Sequence, residues 1–112
     1  MSVKADDYDH VCVLTVTGDL SAEIAGSVRK AVEDSIDQRQ IVNFILDFET
    51  CSFLDSEGLS TILWIRRRAD ELFGQVKLVN LDENVKKILE ITRLDHRFEC
   101  PSDLATALKT MR

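Results

Sequence analysis

Glycine, proline and cysteine are scarce in this chain: four, one and three of 112 residues. With Pro101 as the single proline there is no room for a flexible linker or a low-complexity tail, and no internal repeat is visible. One domain over residues 1–112, built round one core, is the expectation. Long apolar runs are also missing. None approaches the roughly 20 residues that cross a bilayer, and Met1-Ser2-Val3-Lys4-Ala5-Asp6 lacks the apolar centre of a signal peptide. A soluble, cytoplasmic protein without direct membrane insertion is expected.

Basic residues are in deficit, 14 against 20 acidic ones, for a net charge of −6. Phosphate backbones are held mainly by Lys and Arg, so nucleic acid is an unfavourable partner. The one basic cluster, Arg66-Arg67-Arg68, is small and flanked by Asp70 and Glu71. Cys12, Cys51 and Cys100 are odd in number and widely spaced, with no CxxC, which fits reduced and mostly buried thiols. His10 and His96 have no His or Cys partner at ligand spacing, so no metal and no cofactor is expected. Nothing marks a base for a nucleophilic cysteine.

What is present alternates. Val11 to Thr17 is rich in β-branched residues and reads as a strand ending at Gly18, with a weaker strand near Val3 turning at Asp6-Asp7. Ser21 stands where an N-cap belongs, and Ile24, Ala25, Val28, Ala31, Val32 and Ile36 follow at helical spacing to a helix end near Asp37 to Gln40. Ile41 to Phe48 is almost continuously apolar, as a central strand covered on both faces would be. A second helix is predicted from Ser56 to Phe73, stopped by Gly74, then a strand over Gln75–Leu81 and a third helix capped by Asp82. A short strand at Arg97 to Cys100 and a last helix after Pro101-Ser102-Asp103 complete the pattern. Strands alternating with helix-length connections predict an α/β fold with a small mixed sheet of four or five strands and about four helices.

The most distinctive segment is Phe53-Leu54-Asp55-Ser56-Glu57-Gly58-Leu59, between the apolar strand and the second helix. A helix start exposes unpaired N–H groups and the positive end of the macrodipole, a setting that accommodates a phosphate. Ser56 is therefore a candidate switch. On pattern alone a plain helix start is the better reading, in which Asp55 caps, Glu57 carries first-turn negative charge and Gly58 permits tight packing. A nucleophile elbow is excluded, because that motif needs glycine two residues before the serine and Leu54 stands there. A P-loop is excluded by the lack of a glycine-rich run ending in Lys-Ser/Thr.

Several segments together resemble the STAS-domain anti-sigma factor antagonists of bacteria: Leu14-Thr15-Val16-Thr17-Gly18-Asp19-Leu20, Ile45-Leu46-Asp47-Phe48, Ser52 to Leu59, Val76-Lys77-Leu78-Val79, Val85 to Leu94, and Ala105-Thr106-Ala107-Leu108. They follow one another in the family's order. The resemblance implies a STAS fold and a binding protein without catalytic activity. Its acceptor serine would be Ser56, phosphorylated by a partner anti-sigma factor that is a serine kinase and reset by a phosphoserine phosphatase. The partner-binding set expected is Asp19, Ser21, Asp55, Ser56, Glu57, Gly58, Thr61 and Trp64, on a monomer or weak homodimer. Two positions differ from the family pattern: Glu57 replaces Ser or Thr, and Ser21 replaces a frequent acidic residue. A rival implication is an unphosphorylated accessory subunit of a lipid or anion transport complex.

Projecting the second helix at about 100° per residue sets Leu59, Ile62, Ile65, Ala69, Leu72 and Phe73 on one side. Trp64 falls nearly opposite, with Thr61, Arg67, Arg68 and Glu71 around it. Trp64 then has two readings, an exposed partner anchor or a ring lying flat over a neighbouring helix.

Overall fold

The computed structural model describes residues 2–111. Four strands form one mixed sheet in the order β1-β2-β3-β4, namely Ser2–Tyr8, Val11–Thr17, Asn43–Thr50 and Val76–Val79. β1 runs antiparallel to β2, and β2, β3 and β4 are mutually parallel. Helices α1 (Ala22–Arg39), α2 (Ser56–Glu71), α3 (Glu83–Ile91) and α4 (Leu104–Thr110), with a 3-10 turn at Asp95–Arg97, complete the α/β arrangement that the sequence predicts.

Side-chain alternation divides the core in two. Cys12, Leu14 and Val16 of β2, with Phe44, Leu46 and Phe48 of β3, face a large cluster fed by Val28 and Val32 of α1, Ile62 and Ile65 of α2, and Val85 and Leu89 of α3. The intervening Val11, Val13, Ile45 and Val79 face the other side, where Ala107 and Met111 cover them with Leu104 and Leu108 of α4. β3 is thus apolar on both faces because both faces are covered. Polar links tie the layers at their margins: Arg68 Nε donates to Glu33 at 2.7 Å between α2 and α1, and the nearly buried Lys77 of β4 meets Thr110 of α4.

Three expectations need correction. The first turn is not at Asp6-Asp7: β1 continues to Tyr8, paired with Val11, and the loop is Asp9-His10, with Asp9 at φ 56°. Aspartate tolerates this left-handed conformation because its short side chain bonds locally. The strand expected at Arg97–Cys100 is reduced to one bridge, Lys77 to Glu99, with Leu78 N–H donating to the Glu99 carbonyl at 3.0 Å. The 3-10 turn consumes Arg97, and Pro101 has no N–H to carry the ladder onward. Finally, Phe73 is not on the core side of α2. The helix ends at Glu71, and Phe73 is left-handed (φ 62°) and 97% exposed. The Gly74 N–H closes this terminus on the Ala69 carbonyl at 2.8 Å. Gly74 is needed for a close approach: a Cβ there would lie 1.8 Å from the Val42 carbonyl oxygen.

Candidate functional site

The parallel strands deliver three loops to one end of the sheet: residues 18–21 after β2, 51–55 after β3 and 80–82 after β4. The first two are laced by backbone hydrogen bonds. Gly18 N–H donates to the Thr50 carbonyl at 3.2 Å, Leu20 N–H to that of Phe53 at 3.0 Å, and Asp55 N–H to that of Leu20 at 3.3 Å. Leu20 and Leu54 pair as an isolated bridge and are buried, which anchors both loops in the core.

On this platform one carboxylate serves two helices. Asp55 is extended at the N-cap of α2, and its Oδ1 accepts from Gly58 N–H at 2.9 Å. Its Oδ2 accepts from Ala22 N–H, the first residue of α1, at 3.3 Å. Ser21 occupies the N-cap position of α1 but makes no side-chain capping bond. The cap expected from Ser21 is therefore supplied from 33 residues away, by Asp55. Gly58 holds the geometry from beneath, since a Cβ there would lie 2.2 Å from the Leu20 carbonyl oxygen. α2 can start this close to the β2–α1 loop only without a side chain at position 58.

Ser56 is the first residue of α2. It is exposed, and its hydroxyl makes no hydrogen bond with any described residue. Asp19 and Glu57 are exposed beside the two loops, and Ser21 and Asp55 are half-buried. Asp19, Ser21, Asp55, Ser56 and Glu57 thus share one surface. Gly58 is buried and acts by close packing. Thr61 does not belong to this surface: it is fully buried, and its hydroxyl donates to the Glu57 carbonyl at 2.7 Å, within the helix. Trp64 is not opposite the core either. It packs against the main cluster on the flank of α2 that meets α1, with the Arg29 guanidinium 5.5 Å from its ring centre, a cation–π arrangement. The flat-lying reading of Trp64 holds.

Phe53 is the exposed apolar residue of this surface that pattern reasoning passes over. Its ring is 49% exposed, two residues before the Asp55 cap. The signal was period-two alternation: once Leu54 turns inward to pair with Leu20, its neighbour must point outward.

Charge in these loops and the helix starts beside them has one sign, the first cation being Lys86, 3.8 Å from Glu83. Residues 18–23, 49–58 and 80–85 hold Asp19, Glu23, Glu49, Asp55, Glu57, Asp82 and Glu83 and not one lysine or arginine. The buried Cys51 thiol registers it: burial raises its pKa most, and the Asp19 and Asp82 carboxylates raise it further. A phosphate on Ser56 would enter a negative field, opposed chiefly by the N-terminal dipole and free N–H groups of the 16-residue α2. Among the described residues no helix is long and apolar enough to cross a membrane.

Known proteins place this architecture. An anti-sigma F factor antagonist of Paenibacillus polymyxa is 21% identical over 94 residues, covering 84% of this chain and 80% of that protein. A candidate anti-sigma factor antagonist of Thermotoga maritima superposes with a TM-score of 0.89 at 24% identity, over 98% of this chain and 94% of that one. The Bacillus cell fate determinant SpoIIAA in its phosphorylated form superposes at 0.77 with 21% identity, over 98% of this chain and 99% of its own. At these identities the superpositions establish the fold. Residues 2–107 match the STAS domain family, and the chain belongs to it.

Proposed function

We propose that this protein is an anti-sigma factor antagonist of a partner-switching pathway. Unphosphorylated, it binds an anti-sigma factor that is also a serine kinase; phosphorylation of Ser56 releases it, and a phosphatase restores binding. The protein contributes no catalysis of its own. The observation that carries the reading is the Ser56 hydroxyl, unengaged and exposed at the start of a helix whose position Asp55 and Gly58 fix from two sides. The names of the relatives and the family membership support the same reading.

The chemistry follows from the surface. An acceptor serine must reach into a nucleotide site, so its hydroxyl has to be free and its backbone preorganised. Phe53 offers an apolar contact beside it, and the surrounding carboxylates suit a kinase surface carrying lysines and arginines. Phosphorylation adds roughly −1.5 to −2 charges and three acceptor oxygens. In the closed complex that group would face the phosphates of the spent nucleotide, and its dehydration would be uncompensated. The complex then loses affinity relative to the free proteins, which is the differential binding that a switch needs.

The test is capture from host lysate in the presence of ATP, using immobilised wild type, Ser56→Ala and Ser56→Asp. The account expects one kinase-fold protein to be retained constitutively by Ser56→Ala and lost by Ser56→Asp. Equal retention of that protein by both variants would overturn the switch.

A further inference from the structure

A groove of about 640 Å³ runs between the outer side of α2 and the 3-10 turn, lined by Leu63, Arg66, Arg67, Asp70, Glu71 and Arg97. Its charge is opposite to that of the serine end. Arg66 is engaged, with Asp70 at 3.8 Å and its guanidinium 5.9 Å from the Phe98 ring centre. Glu71 is drawn toward Arg68 at 3.7 Å. The guanidinium groups of Arg67 and Arg97 have no hydrogen bond or ion pair with any described residue, and both side chains are exposed. In a chain with six more acidic than basic residues, two unpaired arginines converging on one groove are not demanded by internal neutralisation.

The groove is continuous with the serine turn. Ser56, Ser60, Leu63 and Arg67 are spaced at i, i+4, i+7 and i+11 and so form one stripe of α2. Ser56, Ser60 and Arg67 are exposed and Leu63 is half-buried. At 1.5 Å per residue the groove begins, at Leu63, about 10 Å from Ser56 along the helix, and Arg67 stands about 16 Å from it, within the span of a protein interface of ordinary size. The stripe is therefore bipolar, acidic at its Ser56 end and basic at its Arg67 end, with Leu63 as apolar floor between.

We infer that the Leu63–Arg67–Arg97 groove is a second docking site, taking an acidic segment of the same partner that acts on Ser56. The identity of that partner rests on the function proposed above; the acidic chemistry of the segment rests on the groove alone. A bipolar stripe of this kind is complementary to a partner in one direction along α2, so it sets which way round the two proteins meet and speeds productive encounter. Arginine also favours planar, bidentate contact with carboxylates.

Two measurements test it. In the first, the isotopically labelled full chain is titrated with a peptide of Asp, Glu and Leu, and with a counterpart in which Lys replaces the acids. The expected result is amide shifts centred on Leu63, Arg67 and Arg97 with the acidic peptide only, reduced by salt and abolished in the double variant Arg67→Glu/Arg97→Glu. No shifts there, or equal shifts with the basic peptide, would overturn the site. In the second, Ser56 phosphorylation in host lysate is timed for wild type and the double variant, whose thermal unfolding should coincide. A slowing of about tenfold or more is expected from losing a steering charge pair, and equal rates would overturn the assignment of the groove to the kinase. If wild type itself is never phosphorylated, the proposed function fails, and the peptide titration still decides the groove.

Discussion

Asp55 is the residue on which the site turns, because it joins two helix starts that are remote in sequence. Removing an ordinary N-cap costs about 1 kcal/mol. Here Asp55→Ala exposes two amides, those of Gly58 and Ala22, so the expected loss is about 1–2 kcal/mol, measured by urea unfolding. Hydrogen exchange should accelerate at both amides. Acceleration confined to Gly58 would show that the 3.3 Å contact to Ala22 does not hold α1 in place. Half of this was legible in the sequence: Asp55 three residues before Gly58 is a local cap. The bond to Ala22 was not, since no periodicity encodes the backbone lacing that brings the β2–α1 loop against the β3–α2 loop. Ser21, a good capping residue in the right place, pointed to the wrong oxygen.

At the scale of elements, α2 shows what a helical projection sees and where it stops. Ile62, Ile65 and Ala69 lie where their spacing puts them, facing the sheet. Thr61 and Trp64 were expected outside because a projection knows of one buried side. α2 has two, the sheet beneath and α1 alongside, so the flank carrying Thr61, Trp64 and Arg68 is also covered. Phe73 misled for another reason: it lies beyond the helix end, where a phase of 100° per residue has no meaning. Burial of Thr61 makes a prediction that separates packing from recognition. Thr61→Val removes a hydroxyl bonded only within its own helix and keeps the shape. It should change stability by about 1 kcal/mol or less, and leave capture of the kinase partner at the wild-type level. A selective loss of capture with unchanged thermal unfolding would return Thr61 to the interface.

Across the whole molecule, the strand order and the division of helices between the two faces arise from apolar alternation that is plain in β2 and β3. The weak places were the margins: the hairpin at Asp9-His10, the bridge at Glu99 and the terminus at Phe73, each decided by one residue's backbone. Charge was legible only as a total. Net −6 does not disclose that the loops and helix starts around Ser56 carry carboxylates and no lysine or arginine, while Arg66, Arg67 and Arg97 share one groove on α2 with Asp70 and Glu71, because Arg97 reaches the groove only through the packing of the segment after α3. On the function and the docking groove proposed above, that arrangement would orient a partner in one direction along α2, with Ser56 at the point of contact.

The most direct measurement is phosphosite mapping by mass spectrometry after the purified chain is incubated with host lysate and ATP, with Ser56→Ala alongside. The account predicts a single phosphate on Ser56 in wild type and none in the variant. An unmodified Ser56, in a lysate that phosphorylates an established antagonist added to the same tube, would contradict it.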